Sequence, residues 1–204
     1  MPPAFLAVLS EPGSRVPLDE FHDWYDNEHI PLRMNHLPSF LAAARFSAAD
    51  GEKPSWLALY DIDDTCTFQH ESYTQLRTSR SQREADLIKE LEELDRRCCE
   101  VVWDSGVSVK TASLGVDNPT RVILTHGFEG ASVDEGVKQV EELVERLRGE
   151  EGWVRTRLFE CLDVLKVGVS VPPGPEAQKV PPFFVLHGAS VGSLFFKLDC
   201  LLAD

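Results

Sequence analysis

The chain has 204 residues, 43% hydrophobic and 26% charged, which is the composition of an ordinary soluble globular protein with room for one large domain or two small ones. Thirty-four acidic side chains against twenty basic ones leave a formal charge of −14, which argues against nucleic acid and anionic membrane surfaces as partners but not against a local basic pocket. The five cysteines, of which only Cys98 and Cys99 are adjacent, make no disulfide framework and no Cys-x-x-Cys pair. With no bilayer-length apolar run and no charged leader at Met1-Pro2-Pro3-Ala4, the expectation is a cytoplasmic protein with reduced thiols.

Phe5-Leu6-Ala7-Val8-Leu9, ahead of the turn residues Pro12-Gly13-Ser14, reads as a buried strand. One short helix follows. Pro17 suits its first turn, Asp19 and Glu20 suit the positive end of its dipole, and Pro31 is expected to stop it. At roughly 100° per residue, Leu18, Phe21, Tyr25 and Leu32 form its apolar stripe, with His22, Asp26 and His29 along the border. Glu20, Asp23 and Asn27 fall toward water.

Phe40 to Phe46 and Ser55 to Asp61 are strands joined across the hairpin signal Asp50-Gly51. From Thr67 to about Arg96 the pattern is helical, with a break near Thr78-Ser79. Ser81-Gln82-Arg83-Glu84 is a candidate capping box, and Leu87, Leu91 and Leu94 recur on one face after it. Cys98 to Trp103 closes the half as a strand. The order is β-α-β-β-α-β, the split arrangement of ferredoxin-like domains.

Lys110 to Pro119 reads as a connector, dividing the chain into a first repeat over 1–110 and a second over 118–204. The second runs strand (Arg121 to His126), helix (Ser132 to Arg148, with Val133, Val137, Val140, Val144 and Leu147 on one side), strand (Trp153 to Cys161) and strand (Pro181 to His187). Too few residues follow for a further helix and strand, although 192–198 can form a strand. A sheet left with an open edge tends to find a partner, so a homodimer is expected.

The run Phe21-x-x-Trp24-Tyr25-Asp26-x-Glu28-His29-Ile30-Pro31, followed by Phe40-x-x-Ala43-x-Arg45 and by Trp56-Leu57-Ala58-Leu59-Tyr60-Asp61, resembles the EthD-like group of the dimeric α/β-barrel superfamily. The likeness is strongest to the two-repeat members of filamentous fungi and covers most of the first half. It implies an α+β fold of two ferredoxin-like repeats, their sheets facing each other as an intrachain barrel with the helices outside. Relatives include cofactor-free isomerases, polyketide cyclases, decarboxylases of aromatic acids and anthrone-type oxygenases. The resemblance therefore implies an aromatic small-molecule substrate and neither cofactor nor metal. The helix over 132–148 has no histidine and no Trp-Tyr-Asp, so one site is equipped rather than two.

His29 is the leading catalytic candidate, since an imidazole exchanges protons near neutrality. The competing reading makes it a cap at the helix end, where a cation suits the dipole. Asp26 and Glu28 are candidates for fixing its tautomer, and Tyr25 for donating to a developing oxyanion. His22, four residues before Asp26, is either part of the site or half of a surface pair. A metal on His22, Asp26 and His29 is disfavoured, because three ligands on one helix converge poorly. Arg45 and Arg157 occupy matching strand positions, where an arginine either holds a carboxylate bidentately or reaches out to water. Trp56 and Tyr60, with Phe46 and Trp103 nearby, form either an aromatic pocket or a plain core, and His126 and His187 join the site only if they lie near His29. Three functions remain open: acid/base decarboxylation or aldol-type cyclisation without a cofactor, cofactor-free oxygenation of an anthrone-like substrate, and small-molecule binding without turnover.

Overall fold

The computed structural model describes residues 1–190. The strand expected over 192–198, and the dimer inferred from the tail, lie outside them. The architecture is mixed α+β, with antiparallel pairing at every strand contact whose register is defined here. The chain falls into two compact units, one of Met1–Cys99 with Leu162–Lys179, the other of Glu100–Cys161 with the described residues from Val180 onward. No helix among the described residues is long and apolar enough to cross a membrane.

The first unit contains β1 (Ala4–Glu11), α1 (Leu18–Trp24), α2 (Ile30–His36), β2 (Phe40–Ser47), β3 (Trp56–Ile62), α3 (Glu71–Thr78), α4 (Gln82–Glu90) and the start of β4 (Glu93–Asp104). The last part of β6 (Trp153–Val167) completes it, and the strand order is β2-β3-β1-β4-β6. The β1/β3 register sets Ala4 opposite Ile62, Leu6 opposite Tyr60 and Val8 opposite Ala58. Because side chains alternate along a strand, those six share one face, and they pack with Phe21, Trp24 and Tyr25 in a single core. Phe5, Ala7 and Leu59, on the opposite face, are buried just as fully. Near-continuous apolar runs such as Phe5 to Leu9 are the sequence counterpart of a strand with no wet side.

β6 runs to Val167 rather than Cys161, and two expected boundaries nearer His29 also move. Pro31 does not stop the helix. Residues Tyr25–His29 form a π turn in which the Ile30 N–H donates to the Tyr25 carbonyl five residues back, and α2 then continues to His36 with Pro31 in its first turn. A proline removes one backbone donor and crowds the carbonyl four residues earlier, and the wider π turn accommodates both. It also changes the phase. In a plain helix a spacing of four residues drifts by about 40° per step, and the extra residue in the turn takes that drift back. Phe21, Tyr25, His29 and Arg33 therefore all face inward, and all four are buried. His29 moves from the border of the stripe to its interior, while Leu18 is 49% exposed.

The second shift is at β4. The helix ends at Glu90, and the strand begins at Glu93 rather than Cys98. Leu91 and Leu94 are buried as expected, but Leu94 belongs to a strand. Pairing within the sheet overrides helix propensity here.

The second unit holds the end of β4, β5 (Val122–Phe128), α5 (Val133–Leu147), most of β6 and β7 (Phe183–Ala189), in the order β4-β6-β7-β5. Ser132 Oγ caps α5 by accepting from the Glu135 N–H, and Val140 and Val144 pack on Leu158, Phe183 and Val185. The segment 110–119 lies within this unit.

After β6 the first unit is closed by Gly168, with the next two N–H groups, of Val169 and Ser170, bonded to the Leu91 and Glu92 carbonyls. Gly168 has φ +139°, and a Cβ there would sit 2.5 Å from the Glu92 carbonyl oxygen. Gly168→Ala is expected to destabilise the protein by about 1–3 kcal/mol, through backbone strain and a clash with main chain that cannot swing aside. Urea denaturation measures it, and an unchanged midpoint would contradict this packing.

Candidate functional site

The π turn brings His29 against the first turn of α4. Ser81 caps that helix by accepting from the Glu84 N–H at 3.0 Å. In a full capping box the Glu84 carboxylate would return to the Ser81 backbone. Here it turns inward, and Glu84 Oε1 lies 2.9 Å from His29 Nδ1, with the two residues 2% and 6% exposed. Ser81 Oγ also donates to Glu28. Arg83 ties α4 to α1 through Glu20 (2.8 Å) and Asp23 (2.6 Å).

A carboxylate only accepts hydrogen bonds, so the contact places the His29 proton on Nδ1 and leaves Nε2 with its lone pair. Burial, and then the Arg33 charge, push the His29 pKa down to about 4, outweighing the hydrogen bond to Glu84. Burial alone would raise Glu84, but the His29 hydrogen bond and the Arg33 and Arg80 charges hold it below the ordinary glutamate value. At neutral pH the pair is an ionised carboxylate and a neutral imidazole. The Trp24 and Tyr25 rings lie 4.5 and 5.1 Å from the imidazole, centre to centre, and Arg33 Nη1 donates to the His29 carbonyl at 2.8 Å.

His29 borders a cavity of about 340 Å³ inside the first unit. Its apolar wall comes from Leu6 and Val8 of β1, Leu94 of β4 and Val167 of β6, and Ile88 of α4 contributes as well. Such a site can hold a small molecule with an apolar body beside a proton acceptor.

Tyr25 is 1% exposed, its hydroxyl 3.2 Å from Ser10 Oγ, and burial raises its pKa. Asp26 does not touch His29. It pairs with Arg45 at 3.1 Å, and the Arg45 guanidinium lies over the Tyr25 and Trp56 rings. His22 stands edge-on to Trp56, with ring centres 4.5 Å apart and Nδ1 buried without a partner among the described residues. Glu28 serves the α4 cap rather than the imidazole. Tyr60 is buried in the core against Phe40, and burial raises its pKa. None of these lines the cavity.

His126 lies in the second unit, Nε2 to Nε2 with His187 at 3.2 Å, while His187 Nδ1 meets Thr156 Oγ1 at 2.8 Å. Neither histidine shares a unit with His29. Reading Asp26 and Glu28 as the tautomer-setting acids is therefore corrected: Glu84 holds that position. The helix-cap reading of His29 also fails, because the helix runs on to His36. The residues missed were Glu84, Arg33, Arg77, Arg80 and Arg96. Arg33 carried a signal, being one turn beyond His29 once the helix is allowed past Pro31.

The chain is similar in structure to an anthrone oxidase-like protein, with a TM-score of 0.58 and 8% identity over 97% of this chain and 77% of that one. The likeness establishes a shared fold. A protein from Fusobacterium nucleatum subsp. nucleatum, provisionally described as a monooxygenase, aligns at a TM-score of 0.47 with 10% identity over 96% and 79% of the two chains, too distant to carry weight. No family model and no curated protein sequence matches this chain.

In an NMR titration of the imidazoles, His29 is expected to protonate near pH 4, and lower still in Glu84→Gln, which removes the charge that favours the imidazolium. Between pH 4 and the unfolded value of about 6.5 the unfolded chain binds the extra proton, so this histidine's contribution to stability is lost as pH falls through that window. A His29 midpoint near 6.5 would contradict the buried geometry.

Proposed function

We propose that this protein is a small-molecule enzyme of the EthD-like type in which neutral His29, oriented by Glu84, acts as a general base on a phenolic or polyketide-like substrate. One observation carries the reading: a buried imidazole, 2.9 Å from a buried carboxylate, at the wall of a cavity. A base whose Nδ1 proton is committed to a carboxylate has Nε2 free to take a proton from carbon beside a carbonyl. The carbanion then attacks a second carbonyl, and the imidazolium returns the proton to the new alkoxide. That sequence is aldol-type cyclisation and needs no outside oxidant. Decarboxylation fits the ground state less well, because it calls first for a proton donor and Nε2 carries none.

A second reading shares the first step. Deprotonating an anthrone-like substrate makes a carbanion that reacts with dioxygen, and the shared fold with an anthrone oxidase-like protein favours keeping it open. Within the same proposal the two units are ferredoxin-like repeats. The order β4-β1-β3-β2 in the first and β6-β7-β5 in the second follow one scheme, the second without a last strand among the described residues.

Incubation with aromatic polyketide substrates, following oxygen, carbon dioxide and product mass, separates the readings. Cyclisation without oxygen uptake is expected. His29→Gln retains a donor toward Glu84 but has no base, so it should fold and lose about two to four orders of magnitude in kcat. His29→Ala strands a buried carboxylate and should also cost about 1–3 kcal/mol of stability. The parent's activity should stay level through neutral pH and fall only toward pH 4. A His29→Gln protein that turns over at the parent rate sinks the proposal.

A further inference from the structure

The cavity beside His29 is lined by Arg33, Arg77, Arg80, Lys89 and Arg96, and by no aspartate or glutamate among the described residues. In a chain of net charge −14 this is a local reversal of sign. Arg96 is answered by Asp163 at 2.5 Å and Lys89 by Asp86 at 3.4 Å. Arg33, Arg77 and Arg80 have no carboxylate within ion-pair distance among the described residues. Arg33 and Arg96 are each 8% exposed, and the Nε of each is buried without a hydrogen-bond partner among the described residues. Neither Nε reaches solvent, so what these two side chains offer a ligand is the charge and the remaining donors of their guanidinium groups.

The like charges also act on one another. Burial, and the Arg77, Arg33 and Arg96 charges, hold Arg80 below the ordinary arginine range despite Glu84 nearby. A cluster of guanidinium groups repels itself, and an oxyanion with several acceptor lone pairs relieves that repulsion. The rest of the lining is mostly apolar and includes Leu6, Val8 and Leu94.

We infer that this cavity binds a small molecule with an apolar body and a terminal oxyanion, the oxyanion seated on the arginine cluster and the body lying along the sheet beside His29. The inference names the substrate class for the site of the proton-transfer reading, on whose location it rests, but it is tested by binding and does not require turnover. The oxyanion has two chemical sources, carboxylate and phosphate monoester, and both match an arginine fork.

Calorimetric titration with naphthoate, naphthamide, naphthyl phosphate and inorganic phosphate decides the matter. Naphthoate or naphthyl phosphate should bind at least about tenfold more tightly than naphthamide and weaken as salt is raised, and whichever of the two binds better identifies the source of the oxyanion. Inorganic phosphate, lacking the body, should bind more weakly than naphthyl phosphate. Arg33 and Arg96 are buried, so replacing them risks the fold. Arg77→Gln and Arg80→Gln lie at the more exposed side and should each weaken the anion about threefold to tenfold while leaving naphthamide unchanged.

His29→Gln should still bind the anion. If it does, and the parent shows no turnover on any substrate, the catalytic reading fails while this one stands. Equal affinity for naphthoate and naphthamide, no binding of any anion at low salt, or no effect of Arg77→Gln with Arg80→Gln combined would each overturn the inference.

Discussion

The contact between His29 and Glu84 is the constraint on which the site depends. The two residues are 55 positions apart and both nearly sealed from water. A buried carboxylate without a donor, or a buried imidazole without an acceptor, would be costly on its own, so each residue requires the other. Meeting that requirement fixes several local features. The π turn at Tyr25–His29 points the imidazole inward, Ser81 starts α4 at the position that brings Glu84 to it, and Arg83 anchors α4 to Glu20 and Asp23. Each surface ion pair is worth little alone. Their role is to hold the register of α4 on α1, where a displacement of an ångström would break the buried bond.

Arg33 links this contact to the cavity. It donates to the His29 carbonyl one turn back, and its charge helps keep the imidazole neutral. Arg33 also lines the cavity, with Arg77, Arg80 and Arg96. A cluster of cations beside a histidine has two consequences: it suppresses the imidazolium, which favours a base over an acid, and it draws in the ligand charge that the rest of an acidic protein would repel. When an anion occupies the cluster, the penalty on the imidazolium falls, so ligand binding and proton affinity at His29 are linked.

Much of the fold was legible in the sequence because its apolar runs match the strand period and its caps carry their usual residues. The strands around Phe5, Phe40 and Trp56 and the break near Thr78-Ser79 follow directly, as does the Ser132 cap. His29 stood out as a titratable group on the border of the helix's apolar stripe. What stayed hidden required three-dimensional partners. Pro31 looked like a stop because local sterics say so, and only the π turn, which no short-range pattern announces, lets the helix run on to Arg33. Glu84 looked like half of a capping box, and local spacing could not show that a residue from another helix would claim its carboxylate. Asp26 and Glu28 were the nearest acids to His29 in sequence, yet they point toward Arg45 and Ser81. The arginines of the cavity come from α2, α3, the loop before α4 and β4, and nothing in the chain marks them as a group.

The most direct test of this account is a double-mutant cycle on folding stability with His29→Ala and Glu84→Ala, each of which removes the hydrogen bond, measured by urea denaturation at pH 7. A buried, charge-assisted hydrogen bond predicts strong non-additivity, with a coupling energy of about 1–3 kcal/mol. If the two single changes add to within about 0.5 kcal/mol, the pair does not interact in the folded protein, and the site has been assigned to the wrong residues.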